Sequence, residues 1–386
     1  MQNNAKSKRK LKETLRPSNT PAAPSGVWPI GYFELEVIPG LAEFAQMELQ
    51  QHTDNRVRLL PSAREDRVPF DFAGDPMNLL QLHRSVAVNR VKRFDIPRPK
   101  ALLGHQSFER LIGMVEAVLA LHSPGSFKTF HISAAGSGSS VFARIKAEIQ
   151  TRTGLEYTEE AGDLLLAVRR PSRFPTGARN TATGWEVAVR LSPRPLSARP
   201  WRVCDMPGAL NGAVANTMMS LTDPERRDRV INLACGSGTL LIERLFLQPV
   251  RTAVGCDVDV RALTCARENL VASGYAGPVT LVRCDAGRVP LPTGWATTVC
   301  ADLPFGMLVG SHQSNKVLYP RLLAEAGRLT VVAGKLVVIT QELRLFERTV
   351  AAHEEQWQVT RVIPIKLPAN TRAGYIHPRI YLLRRR

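Results

Sequence analysis

The stretch Val230-Ile231-Asn232-Leu233-Ala234-Cys235-Gly236-Ser237-Gly238-Thr239 joins an apolar strand to a glycine turn, and the turn to a helix. Gly236 and Gly238 lack a Cβ, so the backbone can turn tightly and lie against a ligand, while a helix opening at Thr239 offers its free amide hydrogens to an anion. The third glycine of a dinucleotide fingerprint is missing, and Leu241 stands in its place. That substitution argues against a pyrophosphate-bearing dinucleotide and for a smaller nucleoside with a carboxylate. Ala234, Cys235, Gly236, Ser237, Gly238 and Thr239 are therefore the expected binding loop. A tight structural turn is the plain alternative for a lone Gly-x-Gly.

The residues downstream weigh against that alternative. A strand over Thr252 to Cys256 ends in Asp257-Val258, placing a carboxylate 19 residues after Gly238, near the spacing from which an acid reaches ribose hydroxyls. A third strand, Val279 to Cys284, ends in Asp285-Ala286, and a fourth, Thr297 to Ala301, ends in Asp302-Leu303-Pro304-Phe305-Gly306. Four successive strands thus deliver glycine or carboxylate at their C-terminal ends, which in an open parallel sheet form the ligand crevice. S-adenosylmethionine fits this set. Its carboxylate meets the amides near Gly236, its ribose Asp257 and its adenine amine Asp285. Singly, each aspartate also reads as a cap on the following turn.

The fourth motif carries the chemistry. An exocyclic base amine is a weak nucleophile because its lone pair is delocalised into the ring. Asp302 and the carbonyl of Leu303 can accept its two hydrogens, aim the lone pair and stabilise the charge that develops on nitrogen. Phe305 offers a face for an extruded base. Guanine presents two neighbouring donors where adenine presents a donor beside an acceptor, so a carboxylate favours guanine.

In the runs NLACGSGT, GCDVD, CDA and DLPFG the chain resembles class I, Rossmann-like S-adenosylmethionine-dependent methyltransferases. The last run resembles the Asp/Asn-Pro-Pro-Tyr/Phe pattern of enzymes that methylate exocyclic amines. Leu303 in place of the first proline is a departure shared with THUMP-domain tRNA guanine-N2 methyltransferases of the position-6 type. The resemblance covers roughly residues 31 to 386. It implies a mostly parallel seven-stranded sheet closed by a terminal hairpin, preceded by an α+β ferredoxin-like and THUMP RNA-binding region. It also implies N2-methylation of guanosine in the tRNA acceptor stem, with Asp302, Leu303, Pro304 and Phe305 at the reacting amine.

Composition agrees with a nucleic-acid partner. The chain has 386 residues, room for two or three domains, with 44% hydrophobic residues to fill their cores. Its 51 Lys and Arg against 34 Asp and Glu leave a net charge of +17, which points to a polyanion. A solvated basic surface is the alternative. The six cysteines show no metal-ligand spacing and read as small buried hydrophobes in a reducing compartment, so no metal is expected. No apolar run is long enough to span a membrane and no signal-peptide core is evident, so a soluble, cytoplasmic protein is expected.

Taken in order, residues 1–27 read as a disordered basic tail, 28–60 as the start of the ferredoxin-like region and 60–195 as the THUMP-like domain. Residues 196–222 read as a linker and helix, and 223–386 as the methyltransferase domain. Within the RNA-binding half, Arg144 and Lys146 follow a Gly-Ser turn, and Arg173 and Arg179 lie in a loop between two strands. Arg199 and Arg202 flank Trp201 at the junction, where Trp201 either meets RNA or fills the interdomain core. Residues 76–84 read as a helix, and the segment from Gly306 to Lys316 as a polar loop in which His312 is given no role. Ribosomal RNA is the nearest alternative substrate. A catalytically inactive RNA-binding relative and a nicotinamide dehydrogenase are the alternatives of other classes.

Overall fold

The computed structural model describes residues 30–171, 184–275, 277–306, 310–368 and 374–386. Its N-terminal half is built on β1 (Gly31–Glu36), β2 (Val57–Leu59), β3 (Arg67–Phe72), β4 (Ala87–Phe94), β5 (Thr129–Ala134), β6 (Glu156–Tyr157), β7 (Leu164–Arg169) and β8 (Trp185–Arg190). They form one sheet in the order β2-β3-β1-β4-β8-β7-β5-β6. Strand alternation decides what each face does. Phe33 and Leu35 of β1 lie opposite Phe70 and Val68 of β3 and join the core, while Glu34 and Glu36 face the other way. Helices α1 (Ala42–His52), α2 (His105–Leu119) and α3 (Ser140–Thr153) accompany these strands. In α2, buried Phe108, Leu111, Ile112 and Val115 repeat at the 3.6-residue period and pack into the same core.

The C-terminal half runs α4 (Gly212–Ser220), β9 (Arg229–Leu233), α5 (Thr239–Leu247), β10 (Thr252–Asp257), α6 (Val260–Ala272), β11 (Val279–Arg283) and β12 (Ala296–Asp302). It continues through α7 (His312–Leu329), β13 (Thr330–Thr340), α8 (Leu343–Ala351), β14 (Trp357–Pro364), the short pair β15 (Leu367–Pro368) and β16 (Tyr375–Ile376), and β17 (Arg379–Arg385). The seven-stranded sheet has the order β11-β10-β9-β12-β13-β17-β14. Strands β9 to β13 pair parallel, and β17 inserts antiparallel between β13 and β14. Strand order reverses between β9 and β12, which is where an open α/β sheet opens its ligand crevice.

The two halves share buried structure. Ile38, Leu41 and Phe44 pack in one cluster with Met218, Ile339, Ile363, Ile365 and Ile380 of the second sheet and its helix α4. The turn at Gly40 makes this contact possible. Its φ is +96°, and a Cβ there would sit 2.1 Å from the carbonyl oxygen of Pro364. Behind this cluster runs a chain of polar contacts. Glu48 accepts the amides of His83 and Arg84, Arg84 donates to Asn216, and both Asn216 and Arg199 donate to Glu243, which is fully buried.

Several local expectations change. Residues 76–84 form only a short 3-10 turn over Pro76–Gln81, capped by Asp75, rather than a helix. Helix α7 begins at His312 rather than after Lys316, because Ser311 and Ser314 cap it reciprocally. The cysteines are not all free thiols. Cys204 and Cys265 form a disulfide with Cα atoms 5.3 Å apart, whereas Cys235, Cys256, Cys284 and Cys300 remain unpaired. The reading of Cys204 and Cys265 as small buried hydrophobes in a reducing compartment overlooked that the linker folds back onto α6. The basic tail at residues 1–27 lies outside the described residues. Among the described residues, no helix is long and apolar enough to cross a membrane, and no group of His, Cys, Asp and Glu is placed to hold a metal ion.

Candidate active site

The glycine turn sits at the C-terminal end of β9 in a strained conformation. Ala234, Gly236 and Gly238 have φ of +50°, +52° and +81°. For Ala234 this is a left-handed backbone that a side chain disfavours, a cost kept only where the surroundings fix it. A Cβ built on Gly236 would meet nothing within 4 Å, so the turn borders open space. The carboxylate of Asp257 reaches across from β10 and shapes this turn, accepting the amides of Gly236 at 2.9 Å and Asp259 at 3.0 Å. Val258 beside it is 61% exposed, an apolar surface left uncovered at the same edge.

Across the strand-order reversal stands Asp302, the last residue of β12. The backbone that follows is held tightly. The amide of Leu303 donates to Ile339, and the carbonyl of Pro304 accepts from Asn315 Nδ2 and from the Tyr319 hydroxyl, both at 2.8 Å. Tyr319 is bonded in turn to the Thr340 hydroxyl at 2.8 Å. The Asp302 carboxylate, by contrast, has no hydrogen-bond or ion-pair partner among the described residues. The residue is half-buried, and desolvation raises its pKa to about 7. Asn232 lies buried between the two strands, its Nδ2 donating to the Cys300 carbonyl at 3.2 Å while its Oδ1 has no partner.

Comparison with known proteins shows what the chain is similar to. The family described as UPF0020, RMKL-like methyltransferase domain, matches residues 199–371. Over those residues the chain is similar to that family. The chain is 29% identical over 251 residues to a tRNA (guanine(6)-N2)-methyltransferase of Thermus thermophilus, covering 63% of this chain and 72% of that protein. It is 26% identical over 182 residues to the human tRNA (guanine(6)-N(2))-methyltransferase THUMP3, covering 44% of this chain and 36% of the relative. The chain spans little more than a third of the length of that human protein. Among solved structures, TrmN from Thermus thermophilus superposes with a TM-score of 0.67 at 22% identity, over 93% of this chain and 100% of that one. A putative methyltransferase, SMU.472, complexed with SAH, gives a TM-score of 0.60 at 13% identity, over 92% and 97%. Both show that the fold is shared.

In the C-terminal half, the other candidates differ in how free they are. Asp285 lies on the same edge, but its oxygens are already engaged, one accepting the Gly287 amide at 2.8 Å and the other paired with Arg321 at 2.5 Å. The Gly287 amide foremost, with help from Arg321, holds its pKa below the usual carboxylate range. Ala286 beside it is buried. Phe305 is half-buried, packed partly against the cluster that joins the two halves. Burial pushes the thiols of Cys235, Cys256 and Cys300 up, so they are inert core groups.

The junction arginines do not face outward. Arg199 is 4% exposed and bonds Glu243 at 2.6 Å and the His83 carbonyl, so it holds the junction together and is not free to grip RNA. Arg202 also turns inward, donating to the Leu210 carbonyl and to the Thr239 hydroxyl at the start of α5. Trp201 between them is buried, filling the junction. In the N-terminal half, Arg144 is exposed on α3, and Lys146 lies 4.0 Å over the ring of Tyr157. Arg173 and Arg179 lie outside the described residues.

Sequence reasoning missed a group of residues that support the site. Asn269, fully buried on α6, accepts the amides of Val203 and Cys204 and donates to the carbonyls of Cys204 and Ser237, stitching the linker to the glycine turn. Asn315 was hidden by placing the start of α7 too late, and Tyr319, on the expected helix, was given no role. They stand four residues apart, and that spacing on one helix face is the signal that would have found them. Also missed were Arg90 and Lys92, two residues apart on β4, with Arg110 of α2 near Lys92. Burial lowers the pKa of both, and for Lys92 the neighbouring Arg90 and Arg110 lower it further.

Proposed function

We propose that this protein is an S-adenosylmethionine-dependent RNA (guanine-N2)-methyltransferase with tRNA as substrate and the acceptor stem as target, acting in the cytoplasm. The single observation that carries the reading is the Asp302 carboxylate, desolvated and without a protein partner at the strand-order reversal. Such a group is costly to keep unless a ligand supplies donors. Guanine's N1 and N2 hydrogens are two adjacent donors of the right kind. The Leu303 carbonyl adds a second acceptor, and the bonds from Asn315 and Tyr319 to Pro304 hold both in register.

The open glycine turn fits the cofactor. Amides near Gly236, Ser237 and Thr239 would hold its carboxylate, the free lone pairs of Asp257 its ribose hydroxyls, and Val258, Asp285 and Ala286 would border the adenine. When bound, S-adenosylmethionine supplies the electrophilic methyl group. Asp302 aims the amine lone pair at it and stabilises the positive charge appearing on nitrogen, with the exposed part of Phe305 as a wall for the base.

RNA affinity rests on the basic N-terminal half, read here as a THUMP-like domain over residues 60–195. Arg90, Lys92, Arg110 and Arg144 are cations suited to phosphates. Relatives named U6 snRNA (guanine-N(2))-methyltransferase THUMPD2 match as well, at 30% identity over 133 residues for the bovine protein. Guanine-N2 chemistry is common to both sets of relatives, and tRNA is favoured by the longer match to the Thermus protein.

The test is single-turnover methyl transfer from labelled cofactor to unmodified tRNA, ribosomal RNA and U6-type RNA at saturating enzyme. Label should appear as N2-methylguanosine in tRNA. Asp302→Ala should slow transfer by about 10²-fold or more while leaving S-adenosylhomocysteine affinity nearly intact. Wild-type rates in that variant would refute the assignment of Asp302.

A further inference from the structure

The C-terminal edge of the sheet does not end at Asp302. Beside β12 stands β13, and at its end a cavity of about 880 Å³ opens between the start of α7 and helix α8, with His312, Gln341, Glu342, Arg344 and Arg348 in its lining. It is joined to the catalytic turn by a continuous set of contacts. The Pro304 carbonyl holds the Tyr319 hydroxyl, Tyr319 bonds the Thr340 hydroxyl, and that hydroxyl accepts the Glu342 amide at 3.0 Å. A Cβ on Gly306 would come within 3.0 Å of Glu342 Oε1, so the last residue of the catalytic motif lies against the cavity wall.

The charges in this wall do not cancel. Glu342 is engaged by His312 Nδ1 at 2.8 Å, and Glu347 by Arg379 at 2.8 Å and by the Tyr381 hydroxyl at 3.0 Å. Arg344 and Arg348 are exposed, one turn apart on α8. The Arg344 guanidinium has no partner among the described residues, and Arg348 uses only its Nε, on the Arg344 carbonyl. Gln341 adds a buried Oε1 with no partner. With Nδ1 of His312 fixed on Glu342, its Nε2 is left for a ligand. The two guanidinium groups suit a phosphate, while the Gln341 oxygen and the His312 Nε2 can accept hydrogens from an attached base or sugar hydroxyl.

We infer that this cavity is a second nucleotide subsite, in which Arg344 and Arg348 grip the phosphodiester flanking the target guanosine while its base sits at Asp302. This rests on the RNA-methyltransferase reading above, and it makes α8 a positioning element for the RNA strand. Such a grip adds affinity and limits which nucleotide can reach Asp302.

The experiment measures equilibrium binding of full-length protein to unmodified tRNA across a salt series, using wild type, Arg344→Ala/Arg348→Ala, Arg344→Lys/Arg348→Lys and a control. Arg267→Ala is the control, because α6 lies at the opposite end of the sheet. Losing the grip on that phosphate should lower the slope of log affinity against log salt by about 0.7 to 0.9 and weaken binding about tenfold at low salt. The lysine variant should keep most of the slope, and Arg267→Ala should not change it. An unchanged slope in the alanine variant overturns the subsite, as does an equal change in the control, which would show diffuse charge instead. Because the readout is binding, it stands apart from the chemistry. RNA that binds with the expected slopes but is never methylated would remove the methyltransferase reading and leave the phosphate site.

Discussion

Asp302 is kept in a state that the fold disfavours. A free aspartate titrates near 3.8, whereas burial places this one at about 7. A carboxyl group whose folded pKa is raised adds to stability most below its unfolded pKa, and that advantage is lost as the pH rises through the folded value. For Asp302 the loss accumulates between about pH 4 and pH 7 and amounts to at most about 4 kcal/mol. Asp302→Asn should therefore unfold at higher denaturant than wild type at pH 8, with the difference vanishing near pH 4. Equal stability of the two proteins at pH 8 would show that the carboxylate is well solvated. Under the proposed function the same titration governs activity. Only the carboxylate accepts both guanine hydrogens, so kcat/KM should decline as the pH falls below about 7.

At the scale of elements, the strands and turns around the cofactor were legible because apolar runs ending in Gly or Asp at regular spacing have few other readings. The expected strand Thr129–Ala134 and the cap at Asn211 are where the alternation and cap chemistry put them. The two-residue β6 is too short for alternation to register. The start of α7 depended on a Ser-Ser capping box that resembles loop composition. Arg199 shows the deeper limit, since nothing local distinguishes an arginine that meets RNA from one that meets a buried glutamate 44 residues on. Arg199→Met leaves Glu243 buried without its cation and should cost about 3–5 kcal/mol, measured by denaturant unfolding. Adding Glu243→Leu should restore much of that loss, because a well-packed apolar pair avoids the desolvation of both charges. Should Arg199→Met weaken tRNA binding and leave stability untouched, Arg199 belongs to the RNA surface after all.

For the whole molecule, the two sheets are joined by a buried cluster and a polar chain, so that under the proposed function RNA binding on one half and chemistry on the other occur on one frame. Gly40 is the point at which this can be tested. An alanine there would adopt φ of +96° and place its Cβ 2.1 Å from the Pro364 carbonyl oxygen, so the turn carrying Ile38, Leu41 and Phe44 must lift away from β14. Each half keeps its own core, so lifting the turn uncouples the halves and leaves both folded. In calorimetry the wild type should melt in one transition, raised by saturating S-adenosylhomocysteine by about 2.7 kcal/mol of stability at a hundred times its dissociation constant. Gly40→Ala should split the profile in two, and only the transition of the cofactor-binding half should then respond to the ligand. Two independent transitions already present in the wild type would mean that the shared cluster does not couple the sheets. In that case, RNA held by the N-terminal half would reach Asp302 through a flexible joint, with only the polar chain through Arg84, Asn216, Arg199 and Glu243 and the linker contacts of Asn269 to align the halves.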